Sequence, residues 1–193
     1  MLRAEVETTI TPTLGLRRRL TVFFRPILAI PAIFIVSLIA PTPEGAGALP
    51  VLIALVMVLF YSYPAWLIVF SHAMLEFATK TNAYFFLLVD SYPNFNQSTD
   101  LKVMLPDVAE GKALNRWLPL IKWLLAIPHY IVIAIATPGV YAVTLYNWIV
   151  ILITGKYSGT GSKFIVGYIS YLNRIAGYAF AMVTDSYPRI ITK

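Results

Sequence analysis

The chain has 193 residues, of which 59% are apolar, 12% are charged and none is cysteine. A soluble domain carries about 25% charged residues, so much of this surface is expected to face lipid, and disordered or disulfide-built classes are excluded. The net charge of +6 sits beside long uncharged runs, where basic residues record membrane topology rather than nucleic-acid binding.

In chain order, Met1–Gly15 is a polar, Thr-rich lead containing Glu5 and Glu7, followed by Arg17, Arg18, Arg19 and Arg25. A first apolar helix is expected over about 20–40, kinked at Pro31, which removes a backbone donor. A second apolar segment, 48–62, ends at the breakers Ser62-Tyr63-Pro64, and a third, 65–90, carries Glu76 and Lys80. Cleavage after Ala46-Gly47-Ala48 is not expected, because it would remove half of the repeat described next. The stretch 90–122 holds much of the remaining charge, including Asp100, Lys102, Asp107, Glu110, Lys112 and Arg116. Apolar helices are then expected over 117–137, with a kink at Pro128, and over 140–154. Gly155, Gly159 and Gly161 read as a connecting turn, since no phosphate-loop pattern surrounds them. In the last segment, 161–185, Ile165, Tyr168, Ile169, Leu172, Ile175, Ala176 and Ala179 recur at helical spacing. That stripe suits either an interfacial helix or a bundle helix that turns Arg174 toward a partner.

The chain reads as two copies of one unit. Arg25-Pro26-Ile27-Leu28-Ala29-Ile30-Pro31 lies over Lys122-Trp123-Leu124-Leu125-Ala126-Ile127-Pro128, and Pro41 falls on Pro138. Farther on, Val89-Asp90-Ser91-Tyr92-Pro93 lies over Thr184-Asp185-Ser186-Tyr187-Pro188, and Ala4–Glu7 falls on Leu101–Met104. The expected fold is an all-α integral membrane protein of two tandem repeats, 1–95 and 96–193. Each repeat is a kinked transmembrane hairpin plus an amphipathic or tilted third helix, after a short extended lead. This makes about four spans, with six as the alternative. With the N-terminus in the cytoplasm, Arg17–Arg19, Arg25, Arg116, Lys122, Lys156 and Lys163 lie inside and Glu44 outside, as the positive-inside rule asks.

Leu114-Asn115-Arg116-Trp117-Leu118-Pro119-Leu120-Ile121-Lys122-Trp123-Leu124-Leu125-Ala126-Ile127-Pro128-His129-Tyr130, with the later Tyr178-Ala179-Phe180 and Asp185-Ser186-Tyr187-Pro188, resembles the two signatures of a bacterial membrane family, domain of unknown function 4389. The second repeat resembles it over nearly its whole length. The first is a degenerate copy, with Phe24-Arg25-Pro26 at the Lys-Trp step and Ala32 where His129 stands. The resemblance implies a bacterial inner-membrane protein, often built from two such units, and supplies no activity.

The chemistry-bearing residues are few. His72 and His129 occupy non-equivalent places in the two repeats and read as interfacial or weak ligand candidates, as does Arg174; no metal or cofactor site is expected. No nucleophile elbow surrounds Ser71-His72 or Asp90-Ser91, so no catalytic residue is expected. The charges present in both copies are Arg25 with Lys122 and Asp90 with Asp185. An Asp at a helix C-terminus meets the negative end of the macrodipole, so its presence in both copies calls for a cation. Arg25 and Lys122, expected at one membrane face, are the candidates for structural ion pairs with Asp90 and Asp185. The expected function is a non-enzymatic accessory or scaffold subunit that contacts the lipid bilayer and other membrane-protein subunits, without nucleic acid. The alternative is a lipid-binding or small-molecule transport protein with a site between the repeats, where Thr144 and Asn147 are the polar midplane residues.

Overall fold

A computed structural model describes residues 5–43, 47–96, 99–106, 114–115 and 117–189. Glu44, Asp107, Glu110, Lys112 and Arg116, used above to set topology and the linker, lie outside the described residues. The described residues form six α-helices and four short strands: β1 (Glu7–Ile10), β2 (Gly15–Leu16), α1 (Arg19–Ile39), α2 (Ala48–Phe60), α3 (Ala65–Phe85), β3 (Leu101–Met104), α4 (Pro119–Leu125), α5 (Ile127–Thr154), β4 (Lys156–Tyr157) and α6 (Ser162–Ile175). Helix α6 continues into a π turn, Ala176–Phe180.

The first half follows its pattern, with α1, α2 and α3 in place of the three expected segments. The second half departs from it. The hairpin expected over 117–154 does not form: the break falls at Ala126, between α4 and α5, and α5 then runs unbroken for 28 residues through Pro138. Local chemistry explains the difference. A single proline costs one helical hydrogen bond and a local clash. Pro138 leaves the carbonyl of Ala134 without its helical donor, and α5 nevertheless continues through it. In the first half Ala40, which precedes Pro41, is extended with ψ 144°, and Pro43 likewise pushes Thr42 out of the α region. There α1 stops at Ile39.

Helices α3 and α6 form the centre, and the two leads lie across them in exchange. β1 packs on α6, β3 packs on α3, and the strands pair antiparallel with Glu7 opposite Met104 and Ile10 opposite Leu101. Their alternation supplies the inward side chains: Val6, Ile10, Leu101 and Val103 are buried, while Glu7, Thr9 and Lys102 face outward. The close approach of the first lead depends on Gly177, where an added Cβ would fall 2.3 Å from a methyl of Val6. The apolar stripe of α6, from Ile165 to Ala179, is buried throughout. It therefore faces this core and makes α6 a bundle helix rather than one whose apolar face lies in an interface.

Helices α1 and α5 are each long and apolar enough to cross a membrane. They lie side by side with opposed directions: β2 at the start of α1 pairs with β4 at the end of α5, Gly15 opposite Tyr157 and Leu16 opposite Lys156. Pro26 leaves the carbonyl of Val22 without its helical donor, and the indole of Trp148 on α5 donates to it at 3.0 Å. A second bond joins the halves elsewhere. Buried Tyr63, between α2 and α3, donates to the carbonyl of Ala181 at 2.8 Å, and burial pushes its phenol well above the ordinary range.

Candidate functional site

Two buried cations organise the ends of α3 and α6. Helix α3 ends at Phe85, and Leu87 takes a left-handed conformation, φ 63°. The chain then turns so that the amide of Leu88 donates to the carbonyl of Ala83 at 2.8 Å. That turn presents the carbonyl of Val89 and the carboxylate of Asp90 to α1. Arg25, only 1% exposed, reaches them with a planar fork suited to several acceptors at once. Its Nη1 donates to the carbonyls of Tyr84 (3.2 Å) and Val89 (3.0 Å), and its Nη2 donates to Asp90. The guanidinium also lies over the Tyr84 ring, 4.4 Å from its centroid.

The second half builds the same device with a lysine. Beyond the π turn, Met182 is left-handed, φ 54°, and the amide of Val183 donates to the carbonyl of Gly177 at 2.9 Å. Lys122 on α4, with no exposed surface, donates through Nζ to the carbonyl of Thr184 at 2.6 Å and pairs with Asp185 at 2.6 Å. The other oxygen of Asp185 accepts the amide of Asn115 at 2.7 Å. In each half a left-handed residue that is not glycine precedes, by two residues, a carbonyl, and the Asp follows it. One cation takes both acceptors, which cancels the negative helix end as well as the carboxylate.

Arg25 and Lys122 do not share one level, as the parallel arrangement required. Arg25 lines a groove with Tyr141 and Trp148 near the far part of α5, whereas Lys122 precedes its start. About 20 residues of helix separate them, roughly 30 Å at the α-helical rise. The physical reason is the fused α5, which carries the chain onward where a hairpin would have returned it.

Arg17 is the participant that sequence reasoning missed. It donates to the carbonyls of Thr13 (2.6 Å) and Leu88 (3.2 Å), stands 3.7 Å from Asp90 and covers the Tyr157 ring at 4.7 Å. Burial, then the neighbouring Arg25, pulls its guanidinium below the ordinary value, with Asp90 opposing. The signal was present in Arg17–Arg19, but a basic cluster before an apolar helix reads as a topology mark. Nothing local says that one of three arginines turns inward.

The remaining candidates do not converge. His72 on α3 donates through Nε2 to the carbonyl of Val103 at 2.7 Å and so fastens β3. His129 on α5 is buried, with Nδ1 2.6 Å from the hydroxyl of Tyr171 and its ring against Tyr187. Arg174 turns into the bundle, 4.0 Å from Glu5 and over the Tyr171 ring. Burial pulls its guanidinium down, and Glu5 opposes the shift. Thr144 and Asn147 bond locally: Thr144 donates to the carbonyl of Val140, and Asn147 to those of Val143 and Thr160. Among the described residues no three of His, Asp and Glu gather as metal ligands.

No curated protein and no solved structure matches the chain. The family described as Domain of unknown function (DUF4389) does: its model matches residues 117–191, the half that carries Lys122, His129 and Asp185.

Proposed function

We propose that this chain is an integral protein of the bacterial cytoplasmic membrane, built from two related units, and that it acts as a non-enzymatic accessory or scaffold subunit of a larger membrane assembly. One observation carries the membrane reading, an inversion of polarity. Charged Arg25 and Lys122 are buried, while Phe34 on α1, Leu59 on α2 and Ile135 on α5 are 65%, 60% and 75% exposed. Water tolerates scattered apolar residues but not continuous apolar helix faces of this extent, whereas hydrocarbon favours them and drives charge inward. The scaffold part is supported by where the polar groups go. Arg25, Lys122, Asp90, Asp185, Tyr63 and His72 each bind a carbonyl, an amide or an opposite charge within the chain, so they hold helices in place.

In this reading α1 and α5 are spans, and the start of α1 shares a membrane face with the end of α5. Arg17–Arg19, Lys156 and Lys163 then lie together on the cytoplasmic side, and Lys122–Asp185 lies toward the other end of α5. The test is extraction followed by mass measurement of the native particle. The chain should resist carbonate washing, leave the membrane only with detergent and travel as a particle heavier than one chain. Release by carbonate would overturn the membrane reading. Recovery as a single chain in every mild detergent would overturn the accessory-subunit reading.

A second reading, lipid binding between the halves, is favoured by two apolar grooves lined from both sides. One, about 650 Å³, lies among α2, α4 and the π turn and includes Val51, Leu55, Trp123 and Phe180. The other, about 280 Å³, lies between α1 and α5.

A further inference from the structure

The corner made by β2 and β4 joins the start of α1 to the end of α5, and its surface combines exposed leucines with cations that have no acidic partner among the described residues. Leu14, Leu16 and Leu20 are 65%, 82% and 76% exposed. Beside them Arg18, Arg19 and Lys156 are exposed as well, and no acid among the described residues lies within ion-pair distance of any of the three. The carboxylate at hand, Asp90, is already engaged by Arg25 and faces Arg17. The corner is therefore positive and carries leucines at its tip. The boundary of an anionic bilayer supplies what both lack, phosphate for the cations and hydrocarbon for the leucines.

The groove between α1 and α5 lies deeper along the same two helices, beyond the buried Val22 and Ile151. It is lined by Pro26, Phe85, Leu87, Tyr141, Leu145 and Trp148, with Arg25 in its wall. Pro26 lies seven residues along α1 from Arg19, about 10 Å at the helical rise, a depth that an acyl chain reaches from its own phosphate. We propose that the β2–β4 corner and the α1–α5 groove form one site for an anionic phospholipid. Its phosphate lies against Arg18, Arg19 and Lys156, and one acyl chain enters the groove. The assignment rests on the membrane reading and commits one of the two grooves to a ligand class.

The test uses the full chain in a neutral detergent with three probes: phosphatidylglycerol, phosphatidylcholine and inorganic phosphate. Lipid retention is read by native mass spectrometry and protection by the unfolding midpoint. Phosphatidylglycerol should bind about tenfold more tightly than phosphatidylcholine, and the preference should shrink as salt is raised. The double variant Arg18→Gln/Lys156→Gln should bring the two lipids to within about twofold of each other. Arg19 is spared because its guanidinium lies against Gly155 at the end of α5. Leu145→Trp, which fills the groove, should weaken both lipids while leaving the charge preference. Equal affinity of the unaltered chain for the two lipids, or a preference indifferent to salt, would overturn the site. Equal protection by inorganic phosphate would make the corner a free-anion site and overturn the lipid assignment. A chain that stays dispersed without detergent would instead remove the membrane reading itself, a result independent of lipid preference.

Discussion

The two halves solve one problem with different cations, and the difference says what each solution depends on. Both must neutralise an Asp and a buried carbonyl beyond the end of a central helix. Arg25 spreads its charge over two carbonyls, a carboxylate and the Tyr84 ring. Lys122 concentrates its charge on one carbonyl and one carboxylate, and the nearest ring face, Tyr178, is 5.3 Å away. A guanidinium is delocalised and weakly hydrated, whereas an ammonium is a compact charge that suffers more when a partner is lost in a dry site. The second half is thus more dependent on its Asp than the first, even though both halves carry the same residue there.

The largest expected effect tests that asymmetry. Asp185→Asn strands Lys122 and should destabilise the chain in detergent by about 3 kcal/mol, the lower end of the range for breaking a buried pair. Asp90→Asn leaves Arg25 two carbonyls and the Tyr84 ring, and leaves Arg17 two carbonyls and the Tyr157 ring. The carboxylate is partly exposed, so a loss of about 1–2 kcal/mol is expected even though two cations lose it. Thermal unfolding of the two variants side by side checks the order, and equal losses would refute the distinction. Adding Lys122→Met to Asp185→Asn should recover stability relative to Asp185→Asn alone, because the stranded charge is gone.

The next effect concerns the join between the halves rather than their cores. Tyr63→Phe removes the donor to the carbonyl of Ala181 and leaves a buried acceptor unsatisfied, at a cost of about 1–2 kcal/mol. Hydrogen exchange should then rise at the amides that follow the π turn more than at β3, which His72 fastens independently.

The smallest contrast lies at two helix ends. Helix α5 closes on Gly155, φ 74°, and α2 closes on Tyr61, φ 54°. A left-handed residue costs roughly 1 kcal/mol unless it is glycine. Gly155→Ala should therefore lower the unfolding midpoint, since the added Cβ would also meet the Arg19 guanidinium at 3.3 Å. Tyr61→Gly should gain about as much as Gly155→Ala loses. A gain from Gly155→Ala would show that this cap is not held in the left-handed region.

Much of the layout was legible because it is written locally. Apolar runs and their breakers marked α1, α2 and α3 to within a few residues. The spacing from Ile165 to Ala179 marked the buried face of α6. An Asp at a helix end demanded a cation, and the repeated Arg25 and Lys122 were the candidates that stand against Asp90 and Asp185. The break in the second half was misplaced because both Pro128 and Pro138 can be read as a kink or a stop. The helix breaks at Ala126, two residues before Pro128, and runs through Pro138.

By itself, the amino-acid sequence determined the helices of the first half, the charges that stand at matched positions in the two halves and which strand faces are apolar. These follow from short-range sterics and from periodicities of 3.6 and 2 residues. Tertiary structure alone decided that Arg17 turns inward while Arg18 and Arg19 stay out, and that each lead crosses to the other half. It also decided that Trp148 answers the carbonyl orphaned by Pro26 and that the two ion pairs stand at different levels of α5. Those outcomes depend on which surfaces meet across a hundred or so residues of chain. A carbonyl freed on one helix finds its donor only when another helix has been packed beside it, and no local pattern encodes that neighbour.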